Sequence, residues 1–395
     1  MKYLPLIFAI ACLVSCTKKH TPAPYVPDTI PGDITTFAGG GKQLYVGSSG
    51  PDSLAALSYA YGVAVDGAGN VYIADQGNSV VRRVSATGII STIGGNGVAG
   101  YSGDGGAATA AQLNSPTGIA VDGSGNVYIA DANENVIRKI NASGIISTIA
   151  GTGAAGYAGD GGPATAATFN SPAGIAVDGS GNVYVADMAN ERVRKINAQG
   201  IISTIAGNGF EIGGRAGYSG DGGPADSAEL YKPSGVAVDG SGNVYIADFG
   251  NCRIRMVNAA GIISTFAGNG EEDGVYPDIK GEYGGDGGPA VIAELNYPQG
   301  VAVDGAGNVY IADTYNQRIR MVNAAGIIAT IAGNGFGAGT GYGGESFPGN
   351  GGYSGDRGPA TLAELTEPSG VAAVGAGNVY VADDFNNRVR RVNKQ

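Results

Sequence analysis

Five aspartates sit in one glycine-rich setting along this chain. Asp104, Asp160, Asp221 and Asp286 stand in Gly-Asp-Gly-Gly, and Asp356 in Gly-Asp-Arg-Gly. Carboxylates held in tight loops can ligate Ca²⁺ or accept hydrogen bonds from a ligand's hydroxyls. Calcium takes six to eight oxygens, and its loops usually offer several acids. Each of these loops offers one acid without Asp-x-Asp-Gly spacing, so they rank as weak metal candidates. The expectation is a Gly-rich turn whose aspartate caps the helical turn that follows, Ala-x-x-Ala-x-Leu. No cofactor is expected, and calcium is the only one that the residue types could admit.

A second acidic series opens Asp-x-x-Asn turns. It comprises Asp75, Asp131, Asp187, Asp248, Asp313 and Asp383, with Asn78, Asn190, Asn251, Asn316 and Asn386 three positions on. The second copy departs, with Glu134 at the Asn position. Arg82, Arg138, Arg194, Arg255, Arg320 and Arg390 lie seven residues after each aspartate and could pair with them. A device present in every copy reads as structure, because Asp and Asn side chains bond to backbone in turns.

One acidic stretch occurs once. It is Glu-Glu-Asp-Gly-Val-Tyr-Pro-Asp-Ile-Lys-Gly-Glu, from Glu271 to Glu282. Glu271, Glu272, Asp273, Asp278 and Glu282 could bind a cation or a basic partner. Tyr276, Tyr283, Tyr297, Tyr315, Tyr342 and Tyr353 cluster in the same half of the chain and are expected to be exposed. Acids with aromatics on one rim suit a protein, peptide or glycan ligand. The candidate ligand-binding rim is Glu271, Glu272, Asp273, Tyr276, Asp278, Glu282, Tyr342 and Tyr353.

No catalytic residue is assigned. The only histidine, His20, lies in a proline-rich stretch near the start. No histidine elsewhere could hold a metal or act as a general base. No Gly-x-Ser-x-Gly elbow is visible. An enzyme using carboxylates or Ca²⁺ in a central channel remains the alternative to a binding module.

The elements that carry these residues repeat. Residues 118–151 hold four short runs rich in Val, Ile and Tyr: 118–122, 126–131, 135–140 and 145–151. Gly, Asn, Asp and Ser fill the gaps, as in strands joined by hairpin turns. The aspartate ending the second run recurs at intervals of 56, 56, 61, 65 and 70 residues, from positions 75, 131, 187, 248, 313 and 383. Six four-stranded antiparallel units predict an all-β, six-bladed propeller, since a closed ring avoids long exposed sheet edges. The sixth copy lacks its fourth run. Asp33-Ile34-Thr35-Thr36-Phe37-Ala38-Gly39 matches that run with no partners before it. Residues 33–39 are therefore expected to complete the last blade.

Three pieces carry a family resemblance: Pro172 to Asp178, Gly181 to Asp187, and Asp187 to Arg194. On these the chain resembles the NHL-repeat family, in a bacterial lipoprotein member. The resemblance implies a six-bladed propeller over 33–395. Related propellers include amidating lyases, antibiotic lyases and lactonases, with His-rich centres that have no counterpart here.

The first fifteen residues read as a lipoprotein signal peptide. Lys2 precedes an apolar run from Leu4 to Val14, and Leu13-Val14-Ser15-Cys16 resembles a lipobox. Lipidation of Cys16 and anchoring to a membrane are expected. Residues 16–32 read as a flexible, Pro-rich tether. Cys252 is expected to be a partly buried bystander. The net charge of −11 argues against nucleic acid. A monomeric, non-catalytic binding or scaffolding module of the bacterial cell envelope is expected, facing the periplasm.

Overall fold

The computed structural model describes residues 32–40, 49–51, 55–210, 217–270, 283–336, 352–373 and 377–393. Six antiparallel sheets form the blades of a propeller. The second blade runs Pro116–Val121, Val127–Asp131, Val136–Ile140 and Ile146–Ala150, in that order across the sheet. The other blades repeat it. Each first strand faces the central axis, where Val and Ile from all six line one channel.

Local chemistry explains the hairpins. In the turn after Val121, Asp122 Oδ1 accepts the amides of Ser124 and Asn126 at 2.9 Å each. Its Oδ2 accepts Asn126 Nδ2 at 2.7 Å and the Tyr128 hydroxyl at 3.0 Å. These bonds hold Asp122 below the usual carboxylate range, although burial opposes them. One carboxylate thus closes the turn and ties it to the next strand.

The ring closes as the sequence predicts. Asp33–Ala38 pairs antiparallel with Arg388–Val392, Ile34 opposite Val392 and Thr36 opposite Arg390. The register slips between Thr36 and Ala38, as it does between Thr148 and Ala150 in the second blade. The N-terminal strand therefore carries even the bulge of an ordinary fourth strand.

The Ala-x-x-Ala-x-Leu segments form single 3₁₀ turns, such as Ala164–Ala166. The residue closing each is buried: Leu113, Phe169, Leu230, Leu295 and Leu365, as is Leu57 in blade one. Phe169 packs with Ile137 of the second blade and Val185 of the third, filling the wedge between sheets. Just before each turn the connection crosses the outer edge of the blade it enters. Ala107 bridges Ile145, Pro163 bridges Ile201, Pro224 bridges Ile262 and Pro289 bridges Ile327. Each fourth strand is thereby shielded where it would otherwise expose unpaired backbone.

The axis is set by glycine. A Cβ added to Gly62, Gly118, Gly174, Gly235, Gly300 or Gly370 would lie 2.2–2.5 Å from a carbonyl oxygen of the next blade. Blade six closes onto blade one through Gly370 and Tyr61. The space at this ring is about 60 Å³. Towards the Asp-Gly-Ser-Gly-Asn turns it widens to about 170 Å³, lined only by Val, Ile and Ala. Gly174→Ala should cost about 3 kcal/mol of unfolding free energy, because backbone must move to admit the methyl. Gly179→Ala, where no atom lies within 4 Å of the new Cβ, should change it by less than about 0.5 kcal/mol. Urea unfolding of both variants checks this. Equal costs would mean that the axis is not close-packed.

Candidate ligand-binding rim

Successive antiparallel strands alternate direction, so the ring has two rims. One carries the Asp-x-x-Asn turns and the ends of the connections, and the other carries the Asp-Gly-Ser-Gly-Asn turns. On the first rim, each Asp-x-x-Asn aspartate is fully buried. In the third blade, Asp187 accepts the Asn170 amide at 2.8 Å, Asn190 Nδ2 at 2.8 Å and Arg194 Nη1 at 3.2 Å. The expected pairing with the arginine seven positions on holds in blades two to six, at 3.1–3.4 Å.

The Gly-Asp-Gly-Gly aspartates do not cap the helical turns, which corrects the sequence expectation. The residue preceding each 3₁₀ turn is Ala107, Pro163, Pro224, Pro289 or Pro359, with no side-chain cap bond. The aspartates turn inwards to the buried arginines instead. Arg194 Nη2 donates to Asp160 Oδ1 at 2.7 Å, and the Ala158 carbonyl accepts from the same nitrogen at 3.3 Å. Asp160 Oδ2 accepts the Thr204 amide at 3.0 Å and the Tyr157 hydroxyl at 2.9 Å. These bonds hold Asp160 below the usual carboxylate range, against the opposing effect of burial. A buried guanidinium needs a charged partner more than a short helix needs a cap. Both oxygens of Asp160 are thus occupied. Among the described residues no group of three or more His, Cys, Asp or Glu could hold a metal ion.

Reading the chain locally missed the tyrosine three residues before each of these aspartates: Tyr101, Tyr157, Tyr218, Tyr283 and Tyr353. Its ring lies under an arginine in each of blades two to six. Arg192, Arg253, Arg318 and Arg388 stand 3.6–3.7 Å from the ring centroids of Tyr157, Tyr218, Tyr283 and Tyr353. Tyr353 and Tyr283 are exposed, as expected, yet each is built into the repeat. Its hydroxyl bonds to Asp356 or Asp286 at 2.6 Å. The recurring Tyr-x-Gly-Asp spacing was the available signal. Tyr315 is buried rather than exposed, at 8%. Cys252 is fully buried, in a left-handed position after its turn. Glu271, Glu272, Asp273, Tyr276, Asp278, Glu282 and Tyr342 lie outside the described residues.

The six copies provide an internal comparison. Where they agree, they build the scaffold. They diverge at the solvent side of the first rim, around the channel mouth. The residue after each turn aspartate is Gln76, Ala132, Met188, Phe249, Thr314 or Asp384. The residue before each first strand is Tyr59, Ser115, Ser171, Lys232, Tyr297 or Glu367, and all six have φ of 47–59°. These two positions meet across blade junctions. At the first junction Gln76 Nε2 donates to Ser115 Oγ at 2.9 Å. At the fourth, Phe249 meets Tyr297 at 4.8 Å between centroids, and Tyr297 meets Tyr315 at 5.1 Å. At the sixth, Phe385 meets Tyr59 edge-on at 5.7 Å. Blades four to six and one therefore carry the aromatic and acidic residues of these positions, beside Lys232, whereas blades two and three carry Ala132, Ser115, Met188 and Ser171.

Three hydroxyls lining the channel mouth serve the ring itself. Ser234 Oγ donates to the Gln299 carbonyl at 2.9 Å, and Ser369 Oγ to the Tyr61 carbonyl at 2.9 Å. Thr117 Oγ1 donates to the Ala173 carbonyl at 3.3 Å.

Glu134 has a measurable consequence. Burial pushes Asp131 up to about 7. The Asn114 amide and Arg138 oppose that shift, and the Glu134 charge adds to it. In five other blades an Asn amide donates to the equivalent carboxylate at 2.8–3.0 Å. Glu134→Asn should stabilise the protein by about 1 kcal/mol at pH 7.5. A raised folded pKa means that the folded state takes up protons first as pH falls through 7. Stability of the parent therefore rises towards pH 5, and the variant's advantage shrinks there. Unfolding at both pH values checks this, and an advantage that grows towards pH 5 would contradict it.

A profile of the teneurin NHL domain matches residues 98–158, 152–215, 212–279 and 274–338. Human teneurin-4 is 30% identical over 291 residues, which cover 69% of this chain and 10% of that protein. The chain thus spans about a tenth of the teneurins it matches. A Bacteroides thetaiotaomicron protein of unknown function superposes with a TM-score of 0.59 at 18% identity, covering 91% of this chain and 75% of that one. An auxiliary nutrient binding protein from the same organism gives 0.58 at 16% identity, with the same coverage. Those two likenesses speak for the fold alone. With six NHL-type blades described and most of the chain matched, this protein belongs to the teneurin NHL domain family.

Proposed function

We propose that this chain is a non-catalytic binding module of the bacterial cell envelope. Its protein, peptide or glycan ligand sits on the first rim, in the sector from blade four round to blade one. One observation carries this reading. Six near-identical units differ at these rim positions, and from blade four round to blade one they place Phe249, Tyr297, Tyr59, Phe385, Glu367 and Asp384 there. Half-buried aromatics supply contact area with little entropy to lose on binding. In the sequence the insertions Phe210 to Ala216, Glu271 to Glu282 and Phe336 to Asn350 come before blades four, five and six. A Bacteroides protein of this fold carries the name of an auxiliary nutrient binding protein, which supports a binding role without indicating the ligand. The alternative, a hydrolase or lyase with a carboxylate or Ca²⁺ centre in the channel, is disfavoured. Beyond the glycine ring the channel side chains are only Val, Ile and Ala, and at the mouth the hydroxyls of Thr117, Ser234 and Ser369 are committed to backbone carbonyls.

Glycan and peptide arrays probed with the whole chain test the reading. Phe249→Ala combined with Tyr297→Ala should lower affinity for the captured ligand about 100-fold, the loss of two aromatic contacts. Met188→Ala in the plain sector should leave it unchanged. Equal binding by all three proteins would move the site elsewhere.

Cys16 is proposed to carry the anchoring lipid, with 1–15 a signal peptide, 16–32 a tether and 33–395 the propeller. The wild-type chain expressed in a bacterial host should partition into detergent, and Cys16→Ser into the aqueous phase. Identical partitioning would remove the anchor.

A further inference from the structure

Asp384 is the one acid at its position among the six copies, and its surroundings are unusual. It opens the 3₁₀ turn Asp384–Asn386 at the end of blade six, against the first strand of blade one. It is 6% exposed, and its Oδ1 has no hydrogen-bond partner. In the other copies this side chain reaches the neighbouring blade as a donor or packs there. Gln76 donates to Ser115 Oγ at 2.9 Å, and Thr314 donates to the Pro368 carbonyl at 2.9 Å. An ionised carboxylate can only accept, so at the same position it needs a donor from elsewhere.

Its charged neighbours do not provide one. Burial pushes Asp384 well above the usual carboxylate range, and Glu367 and Asp383 push it further. Asp383 is already neutralised by Arg390, at 3.2 Å. Glu367 lies beside the same turn, half-buried, and burial raises it too. Its backbone amide is held by Gln317 Oε1 at 2.5 Å, which fixes its place on the rim. Among the described residues, no arginine or lysine forms a salt bridge with either acid. The edge-to-face pair of Tyr59 and Phe385 stands next to Asp384.

We propose that this part of the rim binds an organic cation, the ammonium or guanidinium of a basic peptide side chain, with Asp384 and Glu367 as its counter-ions. The proposal rests on the binding-module reading and names the chemistry of its ligand. Calcium fits less well, because it wants six or more oxygens and only two free carboxylates are at hand. An organic cation is satisfied by two acceptors and an aromatic face. The chain's net charge of −11 draws such a ligand towards it.

The test is calorimetric titration of the full chain at pH 7.5 with blocked Gly-Lys-Gly, Gly-Arg-Gly and Gly-Gln-Gly peptides, and separately with calcium chloride. At least one basic peptide should bind about tenfold or more tighter than the glutamine peptide. Asp384→Asn and Glu367→Gln should each cut that affinity about tenfold, one charged contact's worth. Neither substitution should lower the melting temperature, since each removes a like charge. Equal affinity for the neutral peptide overturns the proposal. So does unchanged affinity in both variants, or calcium binding that Asp384→Asn abolishes. If array ligands still bind at Phe249 and Tyr297 while the basic peptides gain nothing from the carboxylates, this proposal fails and the binding module stands. If no ligand of either kind binds, both fail.

Discussion

At the axis the blades meet backbone to backbone, where each inner-strand glycine abuts a carbonyl of the next blade. The rest of the ring follows from it. Without a Cβ, six first strands converge until a space of about 60 Å³ remains between them. This packing also links all six units, because the contact from Gly370 to Tyr61 joins the last blade to the first. Closure is thus secured at two radii. The glycines lock the inside, and the N-terminal strand, paired to Arg388–Val392, completes the outside.

Further out, a buried arginine does for each of blades two to six what glycine does at the axis. Arg194 takes one aspartate from its own second strand and another from the connection that crosses the blade's outer edge. Removing a guanidinium from water is costly, so both acids are required and the connection has little freedom. Its placement lets the neighbouring Pro163 bridge Ile201 and shield the edge strand. In blades three to five the arginine two residues earlier holds the start of the loop that follows its blade. Arg192 Nη2 donates to the Asn208 carbonyl, just before the first insertion, and Arg253 Nη2 to the Asn269 carbonyl, just before the second. Between such fixed points a loop can lengthen without disturbing the scaffold, which is how connections of different lengths coexist in one ring.

The fold was legible because its signals are local. Alternating Val, Ile and Tyr, with glycine at the turns, marks each strand within a few residues, and the orphan strand at 33–38 matched its siblings directly. The site chemistry was harder to read because it depends on contacts between distant residues. An aspartate just ahead of a short helical turn resembles a cap, since both patterns place an acid before a helix. What decides between them is an arginine 34 residues later in sequence, which no local window contains. Tyr315 failed for a related reason. Its turn lies on the rim and reads as exposed, but Tyr297, from the start of its own blade, and Phe249, from the blade before, cover it. The repeat itself held the missing information. Aligning the six units separates residues that every copy needs from residues that one copy alone carries.

That separation bears on function through energetics. A buried carboxyl beside another acid costs stability, and the other five copies of the turn fold without one. Gln, Ala, Met, Phe and Thr all serve at the position of Asp384, so the turn's geometry does not demand an acid. Nor does the blade junction, since Gln76 and Thr314 satisfy theirs with neutral hydrogen bonds. The aromatic sector at Phe249 and Tyr297 poses the same question in apolar terms, where Ala132 and Ser171 suffice two blades earlier. A scaffold that repeats itself six times has already solved its folding problem at every equivalent position. Residues that depart from that solution at a cost, side by side on the rim, are the ones that the proposed ligand would explain.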